Sequence, residues 1–429
     1  MLTVPQSDSP VAKLSRWSGR STDTVLSLYV PAFVLATGVG IAIPALPLYA
    51  KSFEIDFGMA SLVVIVHQLG ATVSTVPTGY LIDRVGGRRM ALLGPLLAAL
   101  SSLMMAIAHS FPELLVYRFI EGWAMQMWML GRLDLITGEG GNRRGTQITG
   151  MFSLDAAGRL VGPAIGGFVA AAWGLKAPFV LYAIVAFFAA LPSFFFLPTS
   201  NRASQPASSR QKDSRAGWAT MSEILTWPLI ILLIGQFLAS MTRGSLFSGT
   251  LDLYTVYAYG IGPETLGLLA AVSGALGLPL TWVSGRMMDR FGRRSTIVPG
   301  FTLLALAITS LAAAAYARWS FAGYVAAFLA AKLTMSSTSG SMQVVSSDVA
   351  PPHARGTFFG LWGLIGQVGL LLSPVFFALV SQYVSYGTAF ASLSAMSACT
   401  AFIMWRQIRG ISMHKVDALV PSPAVAGKG

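Results

Sequence analysis

Residues 79–89 read GYLIDRVGGRR, and residues 285–294 read GRMMDRFGRR. Gly79, Asp83, Arg84 and Gly86 return as Gly285, Asp289, Arg290 and Gly292, each 206 positions later. A second set agrees with the first: Arg144, Gly145, Thr146 and Pro163 return as Arg355, Gly356, Thr357 and Pro374, each 211 positions later. Both sets join one apolar run to the next. The chain is therefore read as an internal duplication, and that reading fixes the architecture before any single helix is considered.

Composition says what solvent surrounds the two copies. Of 429 residues, 54% are hydrophobic and 11% charged, against roughly a quarter charged in an ordinary soluble domain. The apolar runs are too long and too many for core helices, so the chain is read as an integral membrane protein. A net charge of +12 would suit nucleic acid, but the basic residues are scattered over short turns and tails without a stripe of interleaved aromatics. No nucleic acid partner is expected. Cys399 stands alone, which excludes an internal disulfide framework, and no Cys/His spacing suits a metal. No cofactor is expected either. Lys13, Arg16 and Arg20 precede no apolar core with a cleavage site, so no removable signal is read at the start.

Apolar runs fall near 25–50, 57–82, 90–109, 111–136, 146–173 and 177–197, and again near 224–247, 262–284, 295–317, 320–347, 356–381 and 386–406. In hydrocarbon every backbone amide must be paired internally, so these runs are expected as helices. The fold class is all-α integral membrane, with twelve transmembrane helices in two pseudo-symmetric six-helix bundles, 25–197 and 224–406. Lys and Arg concentrate in 1–24, in the turns at 84–89, 143–144, 290–294 and 355, and in 198–223 and 407–429. The opposite side holds Lys51, Lys176, Arg318 and Arg243. By the positive-inside rule both tails and the Ser/Ala/Arg-rich linker 198–223 are cytoplasmic. The expected location is a plasma membrane, the inner membrane if the source is bacterial, with the chain a monomer.

In the doubled stretch, Gly86 and Gly87 suit a tight turn because glycine reaches positive φ without a Cβ clash. Asp83 is placed to accept from a neighbouring helix N-terminus or to pair with an arginine, while Arg88 and Arg89 sit among headgroups. Such contacts can hold one face closed; the ordinary alternative is a positive-inside loop. This stretch resembles the loop between helices 2 and 3 of the major facilitator superfamily, Gly-x-x-x-Asp-Arg-x-Gly-Arg-Arg. Gly79, Asp83, Arg84, Gly86, Arg88 and Arg89 supply the pattern. Gly87 departs from it, standing where the family usually carries a basic residue, and the second copy has Arg293 there. The resemblance runs over about 25–406 and implies a secondary transporter.

Two further stretches extend it. YRFIEGW in the fourth run places Arg118 and Gly122 as in the family's helix 4 signature, with Glu121 as the arginine's partner at i+3. A static salt bridge is the alternative to a substrate or coupling site. GMFSLDAAGRLVGPAIGG in the fifth run resembles the Gly-x-x-x-Gly-Pro-x-x-Gly-Gly signature of drug/proton antiporters, through Gly158, Gly162, Pro163, Gly166 and Gly167. Physically, glycines four apart make a groove for close helix approach, and Pro163 removes one backbone bond. The groove reads as a pivot or seal, or as generic tight packing. Arg144 joins the turn residues as a gating candidate.

The charges inside the spans are the candidates for coupling or substrate binding. Asp155 and Arg159 stand at i,i+4, and Arg132 and Asp134 lie at the end of the fourth run. Together they read as an ion network serving as a gate, a proton route or a brace. Lys332, 211 positions after Glu121, is an isolated cation in the tenth run that needs a counter-charge; it lines a cavity or snorkels to an interface. Trp128 shares the helical face of Arg118 and Glu121 and is either a pocket wall or packing. The Ser/Thr-rich 334–343 serves ligand hydrogen bonds or helix packing.

The resemblance implies alternating access and, through the fifth run, proton-linked efflux of small amphipathic compounds, with protons, a small-molecule substrate and the bilayer as partners. No ATP-binding loop of the Gly-x-x-x-x-Gly-Lys-Ser/Thr type is present, so transport draws on a gradient. The first span has no acidic residue between Thr24 and Ala50, although some drug exporters carry one there, which leaves Glu121, Asp155 or Asp252 for the proton. The rival is an uptake symporter or facilitator for a polar or anionic metabolite, with Arg118 and Lys332 binding the anion. An enzyme is not expected, because no nucleophile–base pair stands at a telling spacing.

Overall fold

The computed structural model describes residues 29–138, 144–196, 226–247, 249–350 and 355–408. The N-terminal tail, the linker 198–223, the tail beyond Ile408 and the side chain of Arg144 lie outside the described residues.

Among the described residues every regular element is a helix. In chain order they are α1 (Val30–Ala42), α2 (Ala45–Lys51), α3 (Phe57–Val85), α4 (Gly87–Ile107), α5 (Phe111–Gly138), α6 (Arg144–Trp173), α7 (Ala177–Phe196), α8 (Trp227–Phe247), α9 (Thr250–Tyr259), α10 (Pro263–Phe291), α11 (Arg293–Tyr316), α12 (Phe321–Ser337), α13 (Ser341–Val349), α14 (Arg355–Tyr383) and α15 (Tyr386–Gln407). These fifteen helices make twelve spans, because the first, seventh and tenth are each interrupted. Nine described runs are long and apolar enough to cross a bilayer by themselves. The other three fall short for visible reasons: α5 carries Glu113, Arg118, Glu121, Arg132 and Asp134, the apolar part of α7 is short, and α12 and α13 are split.

The interruptions correct the expectation of unbroken runs. The first span stops at Ala42 because Pro44 has no amide hydrogen, and the Ile43 N–H turns back to the Gly40 carbonyl at 3.2 Å. The seventh stops at Phe247 and restarts from Gly249, whose φ of 99° is left-handed. Residues 250–259, which lie between two of the runs read from the sequence, are thus the second half of that span. Ile43 and Gly249 stand 206 positions apart, the offset of the doubled motif, so the break is itself repeated. The tenth span breaks at 338–340, with Gly340 at φ 81°, and has no counterpart in the continuous α5.

In hydrocarbon, carbonyls released by a break need donors. At 336–337 they find them on the neighbouring α10, where the hydroxyls of Thr281 and Ser284 donate to the carbonyls of Ser336 and Ser337. The serines and threonines of 334–338 donate back along their own helix. For 334–338 these bonds fit the helix-packing reading.

Contacts divide the chain into two units. Unit 1 comprises Met1–Leu46 and Leu69–Ser204, and unit 2 comprises Pro47–Gln68 and Gln205–Gly429. In unit 1, α1 packs on α6 and α7, and α4 packs on α5 and α7. The α1–α6 contact is a backbone approach: a Cβ on Gly158 would meet the Phe33 carbonyl, one on Gly162 the backbone of Thr37 and Gly40, and one on Gly166 the Ile41 carbonyl. The glycine groove thus has a named occupant, α1. In unit 2 the corresponding pairs are α8 with α14 and α15, and α11 with α12 and α15. Pro47–Gln68 packs there too, through Phe57 edge-on to Tyr257, Phe377 and Tyr386 and through the Tyr257 hydroxyl on the Ile55 carbonyl at 3.0 Å.

Candidate functional site

Charges inside a spanning helix are costly unless paired, so the site is built from the pairs. In unit 1, α5 sets Arg118, Glu121, Met125, Trp128 and Arg132 at alternating steps of three and four, which places them on one face. Arg118 and Glu121 form an ion pair within α5, and both are buried. Tyr182 of α7 covers it. Its hydroxyl lies 3.7 Å from Met125 Sδ and beside the Glu121 carboxylate.

Three turns beyond Glu121 on the same face, Arg132 makes a two-pronged pair with Asp155 of α6, Nη1 to Oδ1 at 3.1 Å and Nη2 to Oδ2 at 3.0 Å. The fork geometry uses what a guanidinium offers and a lysine does not. Trp128 lies under this arginine, 4.4 Å from ring centroid to guanidinium, and is itself 1% exposed, while its backbone closely approaches Gly94 of α4. Of its two readings, pocket wall or packing, this burial favours packing: Trp128 is the apolar floor of the Arg132–Asp155 pair. The expected network is also rearranged. Asp155 turns to α5 instead of to Arg159 on its own helix, and Asp134 turns away from Arg132 to accept the Gly87 backbone N–H at 3.2 Å.

In unit 2 the isolated cation has its counter-charge. Lys332 Nζ stands 3.4 Å from Asp252 Oδ1 and donates to the Leu246 carbonyl at 2.8 Å. Both contacts are at the break of the seventh span. Leu246 is in the last turn of α8, where carbonyls lose their helical partners, and Asp252 is in the first turn of α9, where a carboxylate is favoured by the helix dipole. Asp252 lies 206 positions after Leu46, just past the repeated break. The carboxylate absent from the first span is present in its repeat.

The doubled turns differ in chemistry. Gly86 and Gly292 have φ of 86° and 87°, the left-handed turn expected of them. Gly87 needs its glycine for another reason than the expected positive φ. It is the first residue of α4, and a Cβ there would overlap the Asp134 side chain and the Gly131 carbonyl. At the equivalent place Arg293 reaches with its side chain instead, to Asp348 and to Asp289, each at 3.1 Å. Arg84 lies on the Tyr80 ring, Arg290 near the Phe291 ring, and Arg88 donates to the Phe194 carbonyl at 3.3 Å, while Asp83 and Arg89 are exposed. A Cβ at Gly79 or Gly285 would meet nothing, so packing gives no reason for glycine at either position.

Tyr182, Asp348 and the cap formed by Asp134 escape the sequence reading. For Tyr182 a signal exists, a hydroxyl in the apolar run APFVLYAIVAFF; for Asp348 only its place at the end of the tenth span was available.

Repeated spanning helices with ion pairs held inside them fit a membrane-embedded transporter. The family profile of the Major Facilitator Superfamily matches residues 28–374 and 232–418, and the chain belongs to that family. Among curated relatives, the quinolone resistance protein NorA of Staphylococcus aureus (strain MRSA252) is 24% identical over 257 residues, 59% of this chain and 64% of NorA. This chain thus matches a little under two thirds of NorA's length. The uncharacterized MFS-type transporter YcaD of Escherichia fergusonii is 24% identical over 393 residues, 91% of this chain and 97% of that protein. Among solved structures, the D-xylose-proton symporter superposes with a TM-score of 0.70 at 17% identity, over 89% of this chain and 96% of its own. A POT family transporter in complex with a thioalcohol-conjugated peptide gives 0.71 at 14% identity, over 90% and 96%. These structures share the fold. The protein is a multi-pass membrane transporter, and its curated relatives are bacterial, which implies an inner membrane.

Proposed function

We propose that the chain is a proton-coupled exporter of small amphipathic compounds, working by alternating access with both termini cytoplasmic. One observation carries this reading: three carboxylates inside the spans, Glu121, Asp155 and Asp252, are each held by a cation. Protonating such a carboxylate removes its attraction for the cation and shifts the balance between two arrangements of the helices that carry them. Asp252 stands in the repeat of the span in which related exporters carry an acid, and Lys332 ties it to the end of α8. The relative NorA, a quinolone resistance protein, supports drug-like compounds as the cargo. The glycine face of α6 against α1 serves as the sliding or sealing contact, and the doubled turns, including Arg144, as the latch.

Proteoliposomes containing the purified protein test this by internal pH under an imposed gradient of a quinolone or a lipophilic cation. Proton movement opposite to the compound, lost in one of Glu121→Gln, Asp155→Asn or Asp252→Asn, establishes antiport and names the carboxylate. Flux without proton movement, unchanged in all three, removes the proposal.

A second reading is favoured by the cations Arg118 and Lys332: uptake or facilitated movement of a polar or anionic metabolite. In that case organic acids compete for binding and Lys332→Ala abolishes the competition, whereas cationic compounds do not bind.

A further inference from the structure

On a face of unit 2 where Leu306 and Phe402 are exposed, a groove of about 430 Å³ runs between α11 and α15. Unit 1 has a groove of about 400 Å³ between α4 and α7. The two are repeats of one another. Leu96, Ala99, Leu100 and Leu103 of the first wall return 206 positions later as Thr302, Ala305, Leu306 and Thr309 of the second. On the opposite walls, Ala183 and Phe187 return 211 positions later as Ser394 and Ala398.

Their differences carry the argument. The α11–α15 groove is opened by alanine at 398 where its repeat is filled by phenylalanine, and it has hydroxyls at 302, 309 and 394 where its repeat is apolar. It also runs further, to Val298 and Trp405 at the end next to the turn at Gly292. There Arg294 lies over the Trp405 ring at 5.4 Å. Arg88, its counterpart 206 positions earlier, is committed to the Phe194 carbonyl. Arg293 is neutralised by Asp289 and Asp348, but Arg294 and the exposed Arg406 have no acidic partner among the described residues. An apolar trough within spanning helices, ending at the Trp405 indole with the Arg294 guanidinium over it and Arg406 next along α15, matches one class of molecule in charge and in polarity.

We propose that the α11–α15 groove binds an anionic phospholipid, with an acyl chain along Ala305, Leu306 and Phe402 and the phosphate at Arg294 and Arg406. A zwitterionic lipid fits the trough but leaves the arginine pair without net compensation. Inorganic phosphate satisfies the arginines but not the trough. The α4–α7 groove lacks both the free arginine and the open floor, so the site belongs to unit 2. It is separate from the ion pairs within the spans and independent of the direction or substrate of transport.

Native mass spectrometry of the full chain in detergent decides it, using phosphatidylglycerol and phosphatidylcholine of identical chains. Wild type retains phosphatidylglycerol about tenfold more tightly than phosphatidylcholine. The pair Arg294→Gln with Arg406→Gln removes that preference, and Ala398→Phe, which installs the residue of the other groove, lowers retention of both lipids several-fold at unchanged melting temperature. If Ala398→Phe does not fold, Thr302→Leu, taken from the same equivalence, replaces it. Equal retention of the two lipids by wild type, complete displacement of phosphatidylglycerol by inorganic phosphate, or unaltered retention in the groove variant would each overturn the proposal.

Discussion

Asp134 Oδ2 accepts the backbone N–H of Gly87 at 3.2 Å, and this contact explains why the first copy of the doubled motif has glycine where the second has arginine. In the first copy the end of α5 caps α4 directly, and the approach leaves no room for a Cβ. In the second, Arg293 reaches Asp348 with a side chain. The same task, tying the start of one helix to the end of another, is done once by backbone and once by guanidinium.

Replacing Gly87 by arginine, the residue of the other copy, is therefore expected to destabilise the protein by about 1–3 kcal/mol, because the new Cβ meets Asp134 and Gly131. Thermal unfolding in detergent measures this. A Gly87→Arg variant as stable as wild type would show that the end of α5 yields freely.

The glycines of α6 and α3 are expected to separate cleanly. Gly162→Ala drives a methyl into the backbone of Thr37 and Gly40, at a cost on the order of 1–3 kcal/mol. Gly79→Ala has open space and stays within about 0.5 kcal/mol of wild type. The same melting series reads both, and equal losses would contradict the backbone approach of α1 to α6.

Lys332→Ala leaves Asp252 buried without its cation and the Leu246 carbonyl without its donor, with an expected cost of about 3–5 kcal/mol. Because a buried pair often adds little net stability over apolar residues of similar size, Asp252→Leu with Lys332→Met recovers most of that loss. Transport is then the discriminating readout: stability regained with proton coupling still absent assigns the pair to coupling, whereas coupling regained with stability makes it a brace.

Arg132→Gln and Asp155→Asn each break the two-pronged pair between α5 and α6. The exchange Arg132→Asp with Asp155→Arg restores opposite charges but seats the guanidinium away from the Trp128 ring. Efflux of a fluorescent lipophilic cation from intact cells is expected to fall at least several-fold in all three, since the ring and the fork act together. Full activity in the exchanged variant would reduce the site to a charge pair.

The sequence by itself determined that the chain crosses a membrane as a duplicated set of helices. It did so because hydrocarbon forces every long apolar run into a helix and because the duplication is written in residues that turns require, as at Gly86 and Gly292. It also named most of the charged candidates, since a charge in an apolar run stands out by composition alone. Partners were another matter. Asp155 has Arg159 one turn away along the chain, yet pairs with Arg132 on another helix; Lys332 has no acid within a turn of it on α12 and finds Asp252 eighty residues earlier, beside a helix break. Trp128 shares a face with Arg118, and only the packing around α5 makes it a buried floor beneath Arg132. Periodicity fixes which face of a helix a residue occupies. Which helix covers that face depends on packing between segments distant in sequence, and only the tertiary structure decides it.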